Sequence, residues 1–181
     1  LTLQQRDAVS LALFDRELYQ YLKPNTNPAH LRNICRLLET SRNKEKTQMG
    51  LTLHELADRF PRRGIVLILS DCFDRVDEII SGLKHLRYKR HDMILMNVLD
   101  PYELEFPFKD ATLFEGLEEY PELLVEPRAL RQRYLEEVTQ FQAKLKKGCR
   151  GLMADYVLMN TGEPLDVALS AYLATRNVRT R

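Results

Sequence analysis

Two apolar runs separated by a segment of helical character constrain the fold of this chain more than any other feature. Residues 65–69 (IVLIL) and 93–99 (MILMNVL) are almost wholly apolar. Such runs are typical of strands buried on both faces of a parallel sheet. The segment between them carries an apolar stripe at helical spacing, formed by Ile79, Ile80, Leu83 and Leu86. This order predicts a right-handed parallel crossover, with residues 65–69 in the middle of the sheet.

The rest of the chain predicts helices around this sheet and a hairpin at its edge. Residues 8–14 (AVSLALF) and 17–22 (ELYQYL) predict an antiparallel hairpin that Lys23-Pro24 ends. Caps and prolines predict helices that begin at Asn27-Pro28, near Met49, after the N-cap Asp74, at Pro127 and at Pro164. In the first helix, one face is predicted to carry Leu31, Ile34, Cys35 and Leu38. A last strand is predicted at residues 155–160 (DYVLMN).

Residues 101–126 interrupt this pattern. Short segments such as ELEFPF and ATLFEG alternate apolar with polar residues, which predicts a β excursion off the main sheet. Its aromatic residues either form an exposed contact surface or anchor the excursion to the sheet: Phe106, Phe108, Phe114 and Tyr120. We therefore expect a single domain over residues 1–181, an α/β fold of three layers. It combines a mostly parallel sheet, helices on both faces, a hairpin edge and this inserted β region.

Composition excludes several classes of protein. The chain has 181 residues, of which 44% are hydrophobic and 29% charged, so it is long and apolar enough for a folded core. Its formal net charge of +1 favours neither nucleic acid nor an anionic membrane as a partner. No apolar run is long enough to span a bilayer, and no secretory signal opens the chain. Three scattered cysteines predict free, buried thiols and a cytoplasmic location.

Aspartates follow three of the predicted strands. Asp15, Asp71 and Asp100 each come at or near the point where an apolar run ends. In an open parallel sheet, ligands bind beyond these carboxyl ends. The densest cluster, residues 70–74 (SDCFD), could hold a hard divalent cation through oxygen. The alternative is that these carboxylates only bind loop amides or cap helices.

Short motifs along nearly the whole chain carry a resemblance to a known family. They are QRDAV, ALFD, PAHL, KTQMGL, HELA, RRG, LSDCFD, VLDPYELEFPF, DYVL and PLD, in that order. With these motifs the chain resembles the C-terminal portion of bacterial proteins of the domain-of-unknown-function family fifty-eight. The resemblance implies a von Willebrand factor A fold, in which a divalent ion, usually Mg²⁺, binds at the top of the sheet.

The resemblance also implies particular metal ligands. They come from an Asp-x-Ser-x-Ser motif after the first strand, a threonine in a second loop and an aspartate in a third. Thr47 occupies the threonine position and Asp71 the aspartate position, whereas Gln48 stands where family members commonly have an acid. The Asp-x-Ser-x-Ser segment has no counterpart here, so we expect Mg²⁺ in the full-length protein and none in this fragment.

The absence of that segment predicts a defect in the sheet. The chain lacks an initiator methionine and begins with LTLQQ, which reads like the end of a helix, so we interpret it as a fragment. In the family fold the missing strand lies between residues 8–14 and 65–69. Without it the two strands must pair directly or leave backbone groups unpaired. We therefore expect a rearranged sheet, a homodimer, or an upstream segment that stays associated.

Two functions from different classes follow. The resemblance implies a protein-interaction module, non-catalytic, that works with a MoxR-type AAA+ ATPase; a structural domain without an active site is the alternative. The second function is a hydrolase that uses Cys72 or Asp71 at the strand end, with His54 or His85 as a base. Basic clusters at residues 87–91 and 176–181 are interpreted as solvated surface rather than as a nucleic-acid site.

Overall fold

The computed structural model describes residues 2–41, 47–114 and 123–179. After a 3₁₀ turn at Thr2–Gln5, strand β1 (Val9–Phe14) pairs antiparallel with strand β2 (Leu18–Asn25). The predicted hairpin is therefore confirmed, although β2 continues past Pro24. This proline is tolerated because it lies at the end of an edge strand, where its missing N–H breaks no ladder in the sheet interior.

Two helices follow the hairpin, α1 (His30–Thr40) and α2 (Met49–Arg59). Asn27 Oδ1 accepts a hydrogen bond from the Ala29 N–H at 2.9 Å, so the asparagine organises the turn that leads into α1. The face predicted for α1 is mostly uncovered, and the expectation of a buried thiol is wrong for Cys35. Leu31, Cys35 and Leu38 are exposed, and only Ile34 is half-buried. Periodicity showed which side chains share a face, but not whether another element covers that face.

The predicted crossover is present. Strand β3 (Ile65–Ser70), helix α3 (Val76–Tyr88) and strand β4 (Asp92–Leu99) follow in order, and β3 and β4 are parallel. The N-cap of α3 is Arg75 rather than the predicted Asp74, whose carboxylate instead accepts hydrogen bonds from the Arg75 and Gly50 amides.

Helices α2 and α3 approach each other closely because glycines lie at their contact. A Cβ atom on Gly82 of α3 would lie 2.6 Å from the Leu53 Cβ, and one on Gly50 of α2 would lie 2.7 Å from the Glu78 Cβ. Neither position has room for a side chain.

The region predicted as a β excursion is part helix and part sheet. Its first part is helix α4 (Pro101–Glu105), and strands β5 (Thr112–Phe114) and β6 (Leu123–Val125) form a separate antiparallel pair. The extended conformation expected for ELEFPF is wrong at its start. Asp100 and Glu103 form a capping box, with Pro101 in the first turn, and these are strong signals for the start of a helix.

The chain continues with helix α5 (Pro127–Gly151), strand β7 (Asp155–Asn160) and helix α6 (Leu165–Arg179), as the sequence predicted. The order in the parallel sheet is β3-β4-β7. Side chains of β4 alternate between two cores, with Met93 and Leu95 facing the larger one and Ile94 and Met96 the smaller one. Helices α2, α3 and α5 contribute to the larger core, and α6 covers the smaller one, so helices lie on both faces.

Strand β3 lies at an edge of this sheet, which corrects the prediction that it is central. Within the described residues, β1 and β2 pair only with each other, and β3 pairs only with β4. The direct pairing of β1 with β3 that a rearranged sheet requires is therefore not formed. Both strands nevertheless pack against one core, through Ala12 and Phe14 of β1 and Val66 and Ile68 of β3.

The other face of β3 is open to solvent. Ile65, Leu67 and Leu69 are 67%, 50% and 61% exposed, respectively. We call these three residues the outer stripe. Strand β3, which the sequence predicts to be buried on both faces, is therefore covered on only one.

Candidate functional site

The loops that carry Thr47 and Asp71 lie at the same end of the molecule. The Gln48 N–H donates to the Asp15 carbonyl at the end of β1, at 3.0 Å. The Gly50 N–H, in the first turn of α2, donates to Asp74 Oδ2 at 3.4 Å. The segment that contains Thr47 is thus held beside the end of β1 and the loop after β3. Thr47 is half-buried and Asp71 is exposed.

Asp71 organises the turn that follows β3. Its Oδ1 accepts a hydrogen bond from the Phe73 N–H at 3.1 Å and lies 3.5 Å from Ser70 Oγ. The next residue, Cys72, has a φ of 61°, in the left-handed region that non-glycine residues rarely occupy. One carboxylate oxygen of Asp71 therefore binds a loop amide, as the alternative interpretation of these aspartates required.

A buried polar link, which the sequence analysis did not single out, connects this loop to the sheet. Asn97 of β4 is fully buried, and its Nδ2 donates to the Asp71 carbonyl at 2.7 Å. Its Oδ1 accepts from the Tyr156 hydroxyl of β7 at 2.9 Å. Burial, together with the nearby thiols of Cys72 and Cys149, raises the pKa of Tyr156 far above its usual range. The phenol therefore stays protonated and donates. In the sequence, the signal for this link is Asn97, the one polar residue within the apolar run MILMNVL.

The described residues of these loops do not make a complete Mg²⁺ site. Mg²⁺ requires six oxygen ligands in near-octahedral geometry. Thr47 contributes a hydroxyl and Asp71 a carboxylate with one oxygen already engaged, and Gln48 adds no charge. In the part of the chain that the structure describes, no three His, Cys, Asp or Glu side chains are grouped so as to hold a metal ion. Thr47 and Asp71 therefore stay predicted Mg²⁺ ligands, and the remaining ligands would have to come from a longer polypeptide.

The geometry gives no support to Cys72 as a nucleophile. The residue is 1% exposed, and its thiol lies 3.6 Å from the Ser70 carbonyl. Burial, with a smaller effect from the Asp71 charge, raises the pKa of Cys72 to about 12. A reactive cysteine needs the opposite shift. The candidate bases His54 and His85 contact each other, at 3.1 Å between their Nδ1 atoms.

The aromatic residues after β4 act as an anchor. Phe106 is 7% exposed, and its ring centroid lies 4.5 Å from that of Tyr134 on α5 and 5.9 Å from that of Phe114 on β5. Arg131 of α5 donates to the Phe106 and Glu105 carbonyls. These contacts favour anchoring over a contact role for Phe106, while Tyr120 lies outside the described residues. A groove of about 640 Å³ opens beside this cluster.

The fold and these loops define an α/β domain with a parallel sheet, and comparison with known proteins gives its family. The model of the family described as "Protein of unknown function DUF58" matches residues 1–144, so the chain belongs to that family. No curated protein matches the chain in a sequence search.

The chain is also similar to a solved structure, the conserved hypothetical protein BatB from Bacteroides thetaiotaomicron. The TM-score is 0.57 at 12% identity, and the match covers 99% of this chain and 84% of BatB. At this identity the likeness shows the fold alone. Among the described residues, no helix is long and apolar enough to cross a membrane.

Proposed function

We propose that this chain is part of a non-catalytic protein-interaction domain, and that its divided sheet takes up an extended strand between β1 and β3. The observation that carries the proposal is the divided sheet. Two strands that share one core are both left at sheet edges. An unpaired edge presents a row of N–H and C=O groups that can bind another strand.

The sequence of β3 suits a strand that is covered in the working protein. Natural edge strands are usually protected by charged residues, prolines or bulges. Residues 65–70 (IVLILS) contain no charge and no proline, and β3 pairs with β4 in an unbroken register. Its outer stripe is exposed as well as its edge. A strand that added to β3 and a helix that followed it would cover both surfaces.

We assign the occupant to an upstream segment of a longer polypeptide, arranged as in a von Willebrand factor A domain. The motif resemblance supports this occupant, because in the family fold a strand lies between residues 8–14 and 65–69. The resemblance adds that this segment would carry Asp-x-Ser-x-Ser next to Thr47 and Asp71. On this proposal Mg²⁺ belongs to the longer protein, and a MoxR-type AAA+ ATPase is the candidate partner class.

Self-association of the chain alone tests the open edge. Without its occupant, β3 should pair with a second copy, and sedimentation velocity should show dimers that grow with concentration. Leu67→Lys places a charge on the outer stripe without touching the core and should return the chain to monomer.

Leu124→Lys is the matched control, because Leu124 is also an exposed strand leucine but lies in β6. This control should associate as the unmodified chain does. Equal loss of association in both variants, or none in Leu67→Lys, would show that β3 is not the contact. A stable monomer of the unmodified chain whose β3 amides all resist exchange would contradict the proposal itself.

A further inference from the structure

Helices α2 and α3 bring two histidines together that lie far apart in the sequence. His54 of α2 and His85 of α3 face each other with 3.1 Å between their Nδ1 atoms, and their ring centroids are 5.3 Å apart. The two rings can contact each other because the helices approach closely at Gly50 and Gly82. Both rings are half-buried rather than enclosed.

The outer nitrogen of each ring faces an oxygen atom. His54 Nε2 lies 3.3 Å from Ser81 Oγ, and His85 Nε2 lies 3.5 Å from Asp58 Oδ1. In the metal-free chain the 3.1 Å contact is a hydrogen bond, in which one Nδ1 donates to the other. When each Nε2 carries the proton instead and donates it to its oxygen partner, each Nδ1 is left with a lone pair. The two lone pairs then point into the same space. Oxygen partners on the outer nitrogen are the usual way in which proteins orient histidines that bind metals.

We infer that His54 and His85 form a two-histidine site for a borderline transition-metal ion such as Zn²⁺. Zn–N bonds of about 2.0–2.1 Å at a tetrahedral angle place two ligand nitrogens about 3.3 Å apart. The observed separation of 3.1 Å therefore needs to widen by only a few tenths of an ångström. Water completes the coordination sphere, since among the described residues we assign these two nitrogens alone to the site.

This site differs in chemistry from the one predicted at Thr47 and Asp71. Imidazole nitrogen suits Zn²⁺, Ni²⁺ and Cu²⁺, whereas Mg²⁺ prefers oxygen. The site also joins α2 to α3, so a bound ion would link the two helices that approach at Gly50 and Gly82.

The charges around the histidines set the direction of two further effects. Asp58 polarises His85 and favours the bound cation, while Lys89 Nζ lies 3.3 Å from the same Asp58 oxygen and competes for it. Asp58 is well exposed, so its effect is screened by solvent. Removing the Asp58 charge should weaken binding, and removing the Lys89 charge should strengthen it.

Calorimetric titration of the purified chain with ZnCl₂ at pH 7.5 tests the site. We expect one equivalent to bind, and His54→Gln and His85→Gln each to weaken binding by about tenfold or more, the scale on which even supporting groups act. Asp58→Asn should weaken binding less than either histidine variant, and Lys89→Gln should strengthen it slightly. Glu55→Gln is the control, because Glu55 is on α2 but pairs with Arg59.

A second readout separates this site from zinc bound elsewhere. Cu²⁺ added to the chain should give an electron paramagnetic resonance spectrum with two nitrogen ligands, and the spectrum should lose one in each histidine variant. Cys35→Ser removes the exposed thiol and should leave the zinc titration unchanged. Unchanged zinc binding in the double variant His54→Gln/His85→Gln, or no binding by the unmodified chain, would overturn the inference.

Discussion

The two sides of the parallel sheet differ in how much of one face is covered. On the β7 side, Val157 and Met159 pack under α6, and the Tyr172 hydroxyl donates to Asp155 Oδ2 at 2.9 Å. On the β3 side, the outer stripe lies on the same face and is exposed, as the register through β4 shows. The more polar strand is thus the better covered one. Apolar content indicates what a strand is suited to bury, and the covering element has to come from elsewhere.

The largest expected effect concerns Cys72, which follows the open strand and is nevertheless buried. Burial raises its pKa from 9.0 to about 12, so at pH 8 its thiolate is roughly a thousandfold scarcer than in an ordinary thiol. Iodoacetamide should therefore label the exposed Cys35 at least a hundredfold faster in the folded chain. Comparable labelling rates would show that the open side of the sheet frays as far as the core.

The same shift gives a sign for the pH dependence of stability. The protonated Cys72 thiol is favoured in the folded state, so its contribution is fully present below pH 9. Between pH 9 and about 12 the unfolded chain loses this proton and the folded chain keeps it, so stability falls as pH rises. Cys72→Ala should reduce that loss in urea melts at high pH. An unchanged pH profile in the variant would contradict the assignment.

Truncating a side chain on the covered side, that of β7, should give the next largest effect, a loss of stability. Met159 is 6% exposed, and Met159→Ala should lower the free energy of unfolding by about 2–4 kcal/mol, through lost burial and a cavity. Urea denaturation followed by circular dichroism measures this difference. A cost below about 1 kcal/mol would show that α6 does not hold the face as tightly as the structure indicates.

Removing the buried hydrogen-bonded link between the two sides should lower the free energy of unfolding somewhat less. Asn97→Ala leaves the Asp71 carbonyl and the Tyr156 hydroxyl without this partner, and should destabilise the chain by about 1–3 kcal/mol. Tyr156→Phe removes only one of the two bonds and should cost less, about 1 kcal/mol. If urea denaturation shows the same loss of unfolding free energy in both variants, the bond to the Asp71 carbonyl contributes nothing to stability.

The smallest effect is expected on the open side. Leu67 is 50% exposed, so Leu67→Ala should change the free energy of unfolding of the monomer by less than about 1 kcal/mol. The measurement is a urea melt at low protein concentration, where association is minimal. A cost equal to that of Met159→Ala would mean that the outer stripe is covered in solution.

The sequence predicted the helices and strands better than it predicted which other elements cover them. The hairpin, the crossover, the long helix from Pro127 and the last strand are confirmed, because periodicity, glycine and proline are local signals. The edge position of β3 and the exposed face of α1 were missed, because both depend on which other element is present.

At the candidate site, the sequence indicated individual residues but not which of them lie together. The segment with Thr47 is held by hydrogen bonds near the loop with Asp71, while the assignment of both as Mg²⁺ ligands stays a prediction. The contact of His54 with His85 was not predicted. Each lies on its own helix, and only the packing at Gly50 and Gly82 brings them together.

Hydrogen exchange at single amides, followed by nuclear magnetic resonance in dilute monomeric protein, tests the open edge most directly. In a parallel pair, alternate amides of a strand point to opposite sides. Every second amide from Ile65 to Ser70 should therefore exchange rapidly, while those of β4 in the sheet interior, bonded on both sides, should all be slow. Uniform protection along β3, equal to that of β4, would contradict the divided sheet and the interaction role proposed from it.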